Sequence, residues 1–420
     1  MDIPEGGRLA RYIEGPGAAV SVVEDAEGVS RLHINNRQQE GSSHSRVADA
    51  RQALLPLLLH PAPRRALFLG LGTGVTAASA AEDTQLQVDV VELLPEVIEA
   101  SRLFTGSFSV DARLRVVAAD ARRHVRTSTE RYDLVVADNF HPARSGSGSL
   151  YTVEHFRAIN ERLAEGGLFC QWLPLHQLDS TTLRSIVHSF VKVHPQAWAL
   201  LATHSLATPV LGLMAQRGGG RFDPATVSSR MRTAALPRAP AQFGLHDEMA
   251  VLGSFVAGPR ALARLAGTAP LNTDDHPVVT YRAPRITYAP DSQPTERLIE
   301  LLRTLELAPE EVLLADADVE TRARLAAYWR ARDRFIAFGQ GVQPTMDAHR
   351  MLAQVREPLL AVLRLSPEFR PAYDPLLSLS AALATRDTAT ARGLLADLMQ
   401  VQPLRPEAAE ALRALPRASP

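Results

Sequence analysis

Ala66-Leu67-Phe68-Leu69-Gly70-Leu71-Gly72-Thr73-Gly74-Val75 is an apolar run that stops at three alternating glycines and hands over to a helix of small residues. Buried strand, tight turn and helix N-terminus, in that order, open a nucleotide- or nucleoside-binding sheet. Glycine is needed in such a turn because a side chain would hold the ligand away from the backbone N–H groups. Val75 stands where the third glycine of a dinucleotide fingerprint would fall, and no G-K-[ST] follows to hold a phosphate chain. One βα unit later, Val88-Asp89-Val90-Val91-Glu92 is a second apolar strand ending in a carboxylate. An acid there can accept hydrogen bonds from both hydroxyls of a ribose. Leu114-Arg115-Val116-Val117 runs into Asp120, and Tyr132-Asp133-Leu134-Val135-Val136-Ala137 into Asp138. Ligands of open α/β sheets bind at the carboxyl ends of strands, so this pattern suits an adenine-bearing nucleoside better than a triphosphate.

The rest of the composition narrows the field. At 420 residues the chain has room for two or three domains, and 46% apolar with 22% charged residues describes an ordinary globular protein. A net charge of −1 gives no reason to expect nucleic acid or an anionic membrane as partner. Lys192 is the only lysine and hence the only candidate for Schiff-base chemistry. The single cysteine, Cys170, excludes an internal disulfide and a cysteine-cluster metal site; its apolar run predicts a core residue. His246-Asp247-Glu248 and Asp274-Asp275-His276 lack the spacing of a helical zinc site and read as turns, so no metal is expected. Neither a secretory leader nor a spanning apolar stretch is visible, which makes a cytoplasmic protein the expectation.

Three regions follow. Residues 1–60 read as a β-hairpin region, with strands Ala19–Val23 and Ser30–Ile34, a polar loop from Gln38 to Ser45, and a helix from Arg46 to Leu59. Residues 61–285 alternate strand and helix, predicting a largely parallel sheet covered on both faces. They include helices over 95–104 and 152–163, the second closed by Gly166-Gly167. The proline-rich stretch 289–294 reads as a linker into an all-helical region, 286–420. There Ser366-Pro367-Glu368 recurs loosely as Gln402-Pro403-Leu404, a spacing close to a tetratricopeptide-type repeat. A cap, a dimerisation element and a peptide-binding solenoid with a protein partner are the alternatives for this tail.

Asp138-Asn139-Phe140-His141-Pro142, followed by Gly146, Gly148, Leu150-Tyr151-Thr152 and Phe156, joins Gly70–Gly74, Glu92 and Asp120-Ala121 in one pattern. Over about residues 15–285 that pattern resembles the spermidine synthase (polyamine aminopropyltransferase) family. It is most similar to the divergent members fused to membrane or helical-repeat segments, and Asn272–Pro277 with Tyr281–Pro284 resembles the end of their catalytic unit.

The resemblance implies a class I S-adenosylmethionine-dependent methyltransferase-like (Rossmann-like) sheet, a small N-terminal β region that serves subunit contacts, and a homodimer. It assigns Gly70, Gly72, Thr73 and Gly74 to the methionine-derived part of the co-substrate, Glu92 to the ribose, and Asp120 with Ala121 to adenine. Asp138 matches the catalytic aspartate; Gln38, His141, Tyr151, Gln171 and Trp172 fall to the acceptor pocket. The implied reaction moves an aminopropyl group from decarboxylated S-adenosylmethionine to an amine and releases methylthioadenosine. Methyl transfer from S-adenosylmethionine and a non-catalytic nucleoside-binding scaffold are the alternatives. Two departures stand out. Polyamine enzymes carry an aspartate where this chain has Thr73 and another where it has His141. A site for a doubly charged diamine should thereby lose several charge-assisted hydrogen bonds.

Overall fold

The computed structural model describes residues 3–36, 38–106, 113–236 and 238–415. Strands β1 (Arg8–Glu14), β2 (Ala19–Glu24), β3 (Ser30–Ile34) and β4 (Gln38–Ser42) form an antiparallel sheet in that order. Asp25 Oδ1 accepts from the Glu27 and Val29 amides and shapes the expected β2–β3 turn. The segment expected to be a loop is β4 followed by a 3₁₀ turn over Ser43–Ser45. Asn35 and Asn36 both adopt φ 53°, a left-handed conformation that asparagine tolerates, and this reverses the chain. Being wholly polar, β4 carries no apolar alternation that could have marked it. Val20, Val22, Leu32 and Ile34 of this sheet pack on Leu94, Val97, Ala100 and Phe104 of the helix Pro95–Thr105 and its lead-in.

The second sheet comprises β5 (Arg65–Leu69), β6 (Gln87–Glu92), β7 (Leu114–Ala118), β8 (Tyr132–Ala137), β9 (Leu163–Pro174), β10 (Trp198–Leu201), β11 (Val210–Gln216) and β12 (Phe255–Ala257). Their spatial order is β12-β10-β11-β9-β8-β5-β6-β7. Pairs among β5 to β9 are parallel, as the βα alternation implies; β10, β11 and β12 add antiparallel pairs. Gly166 and Gly167 do not close a helix. The helix Val153–Arg162 gives way directly to β9, and both glycines lie inside it, where the register with β8 shifts.

The topology sets the site. The chain runs outward from β5 to β6 and β7, then returns to the other side of β5 with β8. The crevice between the carboxyl ends of β5 and β8 is therefore the switch point where open α/β sheets take ligands. The sheet ladder continues to its brink, with Asp138 N–H donating to Leu69 O at 3.0 Å and Gly70 N–H to Val91 O at 2.9 Å.

Contacts divide the chain between Leu314 and Ala315 rather than at 285/286. The proline-rich linker separates two helices, Val278–Tyr288 and Pro294–Thr304, that both belong with the sheet. The second unit is helical: Val319–Gly339, Ala348–Leu365, Arg370–Leu383, Thr388–Val401 and Pro406–Ala414. The two related turns 366–368 and 402–404 touch each other, Gln402 Nε2 donating to Pro367 O at 2.8 Å. Among the described residues no helix is long and apolar enough to cross a membrane.

Candidate active site

Three carboxylates named from strand ends meet at one cleft of about 180 Å³, beside Gly70, Leu71, Gly72 and Ala121. Glu92, 7% exposed, closes β6; its Oε2 accepts from Leu71 N–H and its Oε1 from Leu94 N–H, each at 3.0 Å. Each oxygen keeps a further lone pair, so the pinned carboxylate can still take the two hydroxyls of a ribose. Asp120 caps the helix Ala121–Thr127 by accepting from Arg123 N–H at 2.7 Å through Oδ1. It thus combines a structural role with a place on the cleft wall.

Asp138 sits one residue beyond β8, with Oδ1 accepting from Asn139 N–H at 2.8 Å. Burial, with Glu92 charge adding to it, pushes its carboxyl up to about 6, while the Asn139 N–H pulls the other way. Gly70 is what lets this acid approach the turn. A Cβ there would stand 3.1 Å from Asp138 Cβ and 2.9 Å from Phe140 Cε1, and its φ is +89°.

The cleft shares Glu40 and Asn139 with a second chamber of about 300 Å³, lined also by Asp49, Gln52, His141, His176 and Gln177. Two of its acids had no sequence signal. Asp49 comes from the helix Arg46–Leu59, and its Oδ2 lies 3.2 Å from Thr73 Oγ1 and 3.0 Å from Ser45 Oγ. Glu40 comes from β4, with Arg144 of the covering loop 3.8 Å away. The strand reaches the turn because Gly41 lacks a side chain: a Cβ there would meet Thr73 Cγ2 at 2.6 Å. Burial raises both carboxyls to about 7; Asp138 charge adds to Asp49, and Glu92 and Asp138 charge to Glu40 against the pull of Arg144. Burial also holds His141 below the usual imidazole range and His176 at about 4, so both are neutral at pH 7.

Several expected site residues point elsewhere. Tyr151 is fully buried and donates its hydroxyl to Phe140 O at 2.8 Å, so it supports the loop instead of lining the acceptor chamber. Trp172, also fully buried, donates Nε1 to Gln52 O at 3.0 Å from the core. Gln171 is buried on β9 and gives Nε2 to the carbonyls of Asp138 and Trp172. Thr73 turns to Asp49, and Gly74 abuts Ser101 and Thr105; neither lines the cleft. The side chain of Gln38 lies outside the described residues.

The loop over the cleft has a brace that residue spacing did not reveal. Asn272, fully buried, donates Nδ2 to Gly148 O at 3.0 Å and accepts from Val279 N–H at 3.1 Å. Arg122 donates to Ser149 O at 2.8 Å and pairs with Asp274. The acidic segment 272–276 therefore anchors this loop. Asp247 caps the helix Glu248–Leu252, and among the described residues no cluster of three His, Cys, Asp or Glu could hold a metal.

Residues 52–208 match the spermine/spermidine synthase domain family. A polyamine aminopropyltransferase of Thermotoga petrophila is 31% identical over 121 residues, 28% of this chain and 41% of the relative. Another from Caldicellulosiruptor saccharolyticus is 25% identical over 212 residues, 49% of this chain and 74% of the relative. The match thus spans less than half the length of the Thermotoga protein. The fold is also that of a spermidine synthase solved with the transition-state analogue AdoDATO, with TM-score 0.52 and 21% identity over 62% of this chain and 88% of that one. The Thermotoga maritima spermidine synthase aligns with TM-score 0.50 and 20% identity over the same shares.

Proposed function

We propose, from the premise that residues 52–208 form a domain of the spermidine synthase superfamily, that this protein is a divergent aminopropyltransferase. It would take decarboxylated S-adenosylmethionine as donor and an amine as acceptor. The observation that carries the reading is the convergence of Glu92, Asp120 and Asp138 on one cleft beside the glycine turn. Three acids from three strands have no common structural duty; around an adenosyl sulfonium each has one.

The chemistry assigns the roles. Glu92 holds the ribose, the Asp120 carboxylate and the Ala121 end of its helix take the adenine edge, and Phe140 walls the cleft. A free alkyl ammonium has pKa about 10 and cannot attack while protonated. With the amine held at Asp138, its nitrogen lone pair forms the new C–N bond to the carbon beside sulfur. The C–S bond breaks with its electrons going to sulfur, and neutral methylthioadenosine leaves. The proton shed by the amine passes to the Asp138 carboxylate, whose raised pKa suits a general base. The loop tied down by Asn272 and Arg122 forms one wall of the cleft.

Methyl transfer needs a donor bearing an extra carboxylate, and that group needs a partner for its negative charge near Thr73. Thr73 instead has the Asp49 carboxylate on its hydroxyl, which favours the decarboxylated donor. The test is Asp138→Asn with product analysis by mass spectrometry over a panel of amines. Turnover should fall by about 10²–10⁴-fold, while methylthioadenosine binding by calorimetry stays within about threefold. Loss of nucleoside binding would make Asp138 structural, and no binding of either donor or of methylthioadenosine by the parent would favour a scaffold.

A further inference from the structure

A cavity of about 400 Å³, larger than the cleft or its chamber, shares no lining residue with either. It lies among the helices Ser180–Val193, Pro259–Ala266 and Pro294–Thr304 and the 3₁₀ turn Leu175–Gln177. Leu175, Leu178, Leu183, Leu265 and Leu301 supply its apolar wall. Concave sites of this size, mostly apolar with a few polar groups that fix orientation, are where small molecules bind.

The charges around it do not cancel. The lining holds three cations, Arg184, Arg264 and Arg297, against two acids, Asp179 and Glu300. Asp179 pairs with Arg282, and Arg264 with Glu306, each at 3.0 Å. Arg297 spends its donors on the carbonyls of Leu175, His176 and Ser292, and Asp291 and Glu296 act on it only from beyond ion-pair distance. Arg184 gives Nε to Leu265 O at 2.9 Å, and among the described residues its two terminal nitrogens have no partner. A guanidinium with both terminal nitrogens free takes a carboxylate through two parallel hydrogen bonds. We propose that this cavity is a second binding site, for a small amphipathic carboxylate whose alkyl or aryl body lies on the leucines and whose head group sits on Arg184. The site goes beyond the transferase reading and does not depend on it.

Octanoate and octanol share one chain length and differ in the head group. Titrated calorimetrically into the full chain at about pH 8, octanoate should bind at least about tenfold more tightly, the least that a charge-assisted hydrogen bond supplies. Arg184→Gln should bring octanoate to the level of octanol and leave octanol within about threefold. A diazirine-bearing octanoate photolysed on the parent needs no variant to fold, and its adducts should map to residues 175–184, 264–265 and 297–304. Saturating methylthioadenosine should leave octanoate affinity within about threefold, because the cleft is a separate place. Equal affinity of the parent for both compounds, binding of neither, or a folded Arg184→Gln that keeps the preference would each overturn the assignment. Adducts confined to other segments, or displacement of octanoate by methylthioadenosine, would do the same.

Discussion

Gln171 reaches from β9 to donate its side-chain Nε2 to the Asp138 carbonyl oxygen at 3.1 Å, and to its neighbour Trp172 O at 3.0 Å. The amide thus ties the residue that follows β8 to the adjacent strand, just where the ladder stops. The proposed base owes its orientation to this strut and to the Asn139 N–H on its Oδ1.

Gln171→Leu keeps the side-chain size and removes both donors. Two carbonyls then lose a donor, although Asp138 O keeps the Phe140 N–H at 2.9 Å, so the cost is about 0.5–1.5 kcal/mol for each hydrogen bond lost. Stability in urea should drop by about that amount. A positioning role adds a second signature: kcat should fall by about tenfold or more while methylthioadenosine affinity stays within about threefold. Equal losses in both would mean that the cleft as a whole had collapsed.

The acid limb of the rate profile follows from the three raised carboxyls. Burial lifts Asp138 to about 6 and both Asp49 and Glu40 to about 7. Their ionised forms therefore persist only above those values, and activity is lost as pH falls through them. Since kcat/KM reports the free enzyme and free amine, neutralisation of the amine adds a slope of at most one up to its pKa of about 10. The logarithmic profile should be steeper than one between about pH 5 and 7 and relax above about 7.5. In Asp49→Asn the acid region should lose steepness. A uniform slope through this range would remove the carboxyls from the rate.

How much of this was legible follows from where each group sits along the chain. Gly70, Glu92, Asp120 and Asp138 were readable because each ends a strand, and a parallel sheet brings strand ends to one edge. Asp49 and Glu40 were not, since one is a polar position in the first turn of a helix that is otherwise buried from Ala50 to Leu59 and the other belongs to a strand without apolar alternation. Their meeting with Thr73 depends on the docking of β4 at Gly41, a tertiary fact. Tyr151 and Trp172 fall beside the right motifs, but closeness in sequence does not say which way a ring points. Both send their polar atoms to backbone carbonyls in the core. That the tail is helical showed in its periodic leucines, whereas the division at Leu314 did not show, because the proline-rich stretch before it joins helices of the same unit.

Gly70→Ala tests the turn itself. At φ +89° a Cβ is strained, and it would press on both Asp138 Cβ and the Phe140 ring. A left-handed non-glycine residue costs about 1–2 kcal/mol, and the contacts add to that. Thermal unfolding should show the loss, and turnover should fall more than stability explains because the displaced neighbour is the base. Full activity in the folded variant would show that the turn can yield without moving Asp138.

Asp49→Asn should make the unliganded protein more stable at alkaline pH. The folded-state pKa of Asp49, about 7, lies above its ordinary value of 3.8 because burial and Asp138 disfavour the charge. Between those values the native state holds more protons than the unfolded chain, so this group lowers stability as pH rises from about 4 to about 7, and the full penalty persists above. Three pKa units would correspond to about 4 kcal/mol, an upper figure because Asp49 keeps some solvent exposure that screens its charge. Buried His155, His176 and His194 act oppositely: their depressed pKa values of about 3, 4 and 4 lower stability as pH falls below about 6.5. The informative quantity is therefore the difference between variant and parent in denaturant titrations at about pH 8 and pH 5. A gain that is large at pH 8 and shrinks toward pH 5 is expected. Destabilisation at both would mean that the Thr73 and Ser45 hydrogen bonds outweigh the buried charge.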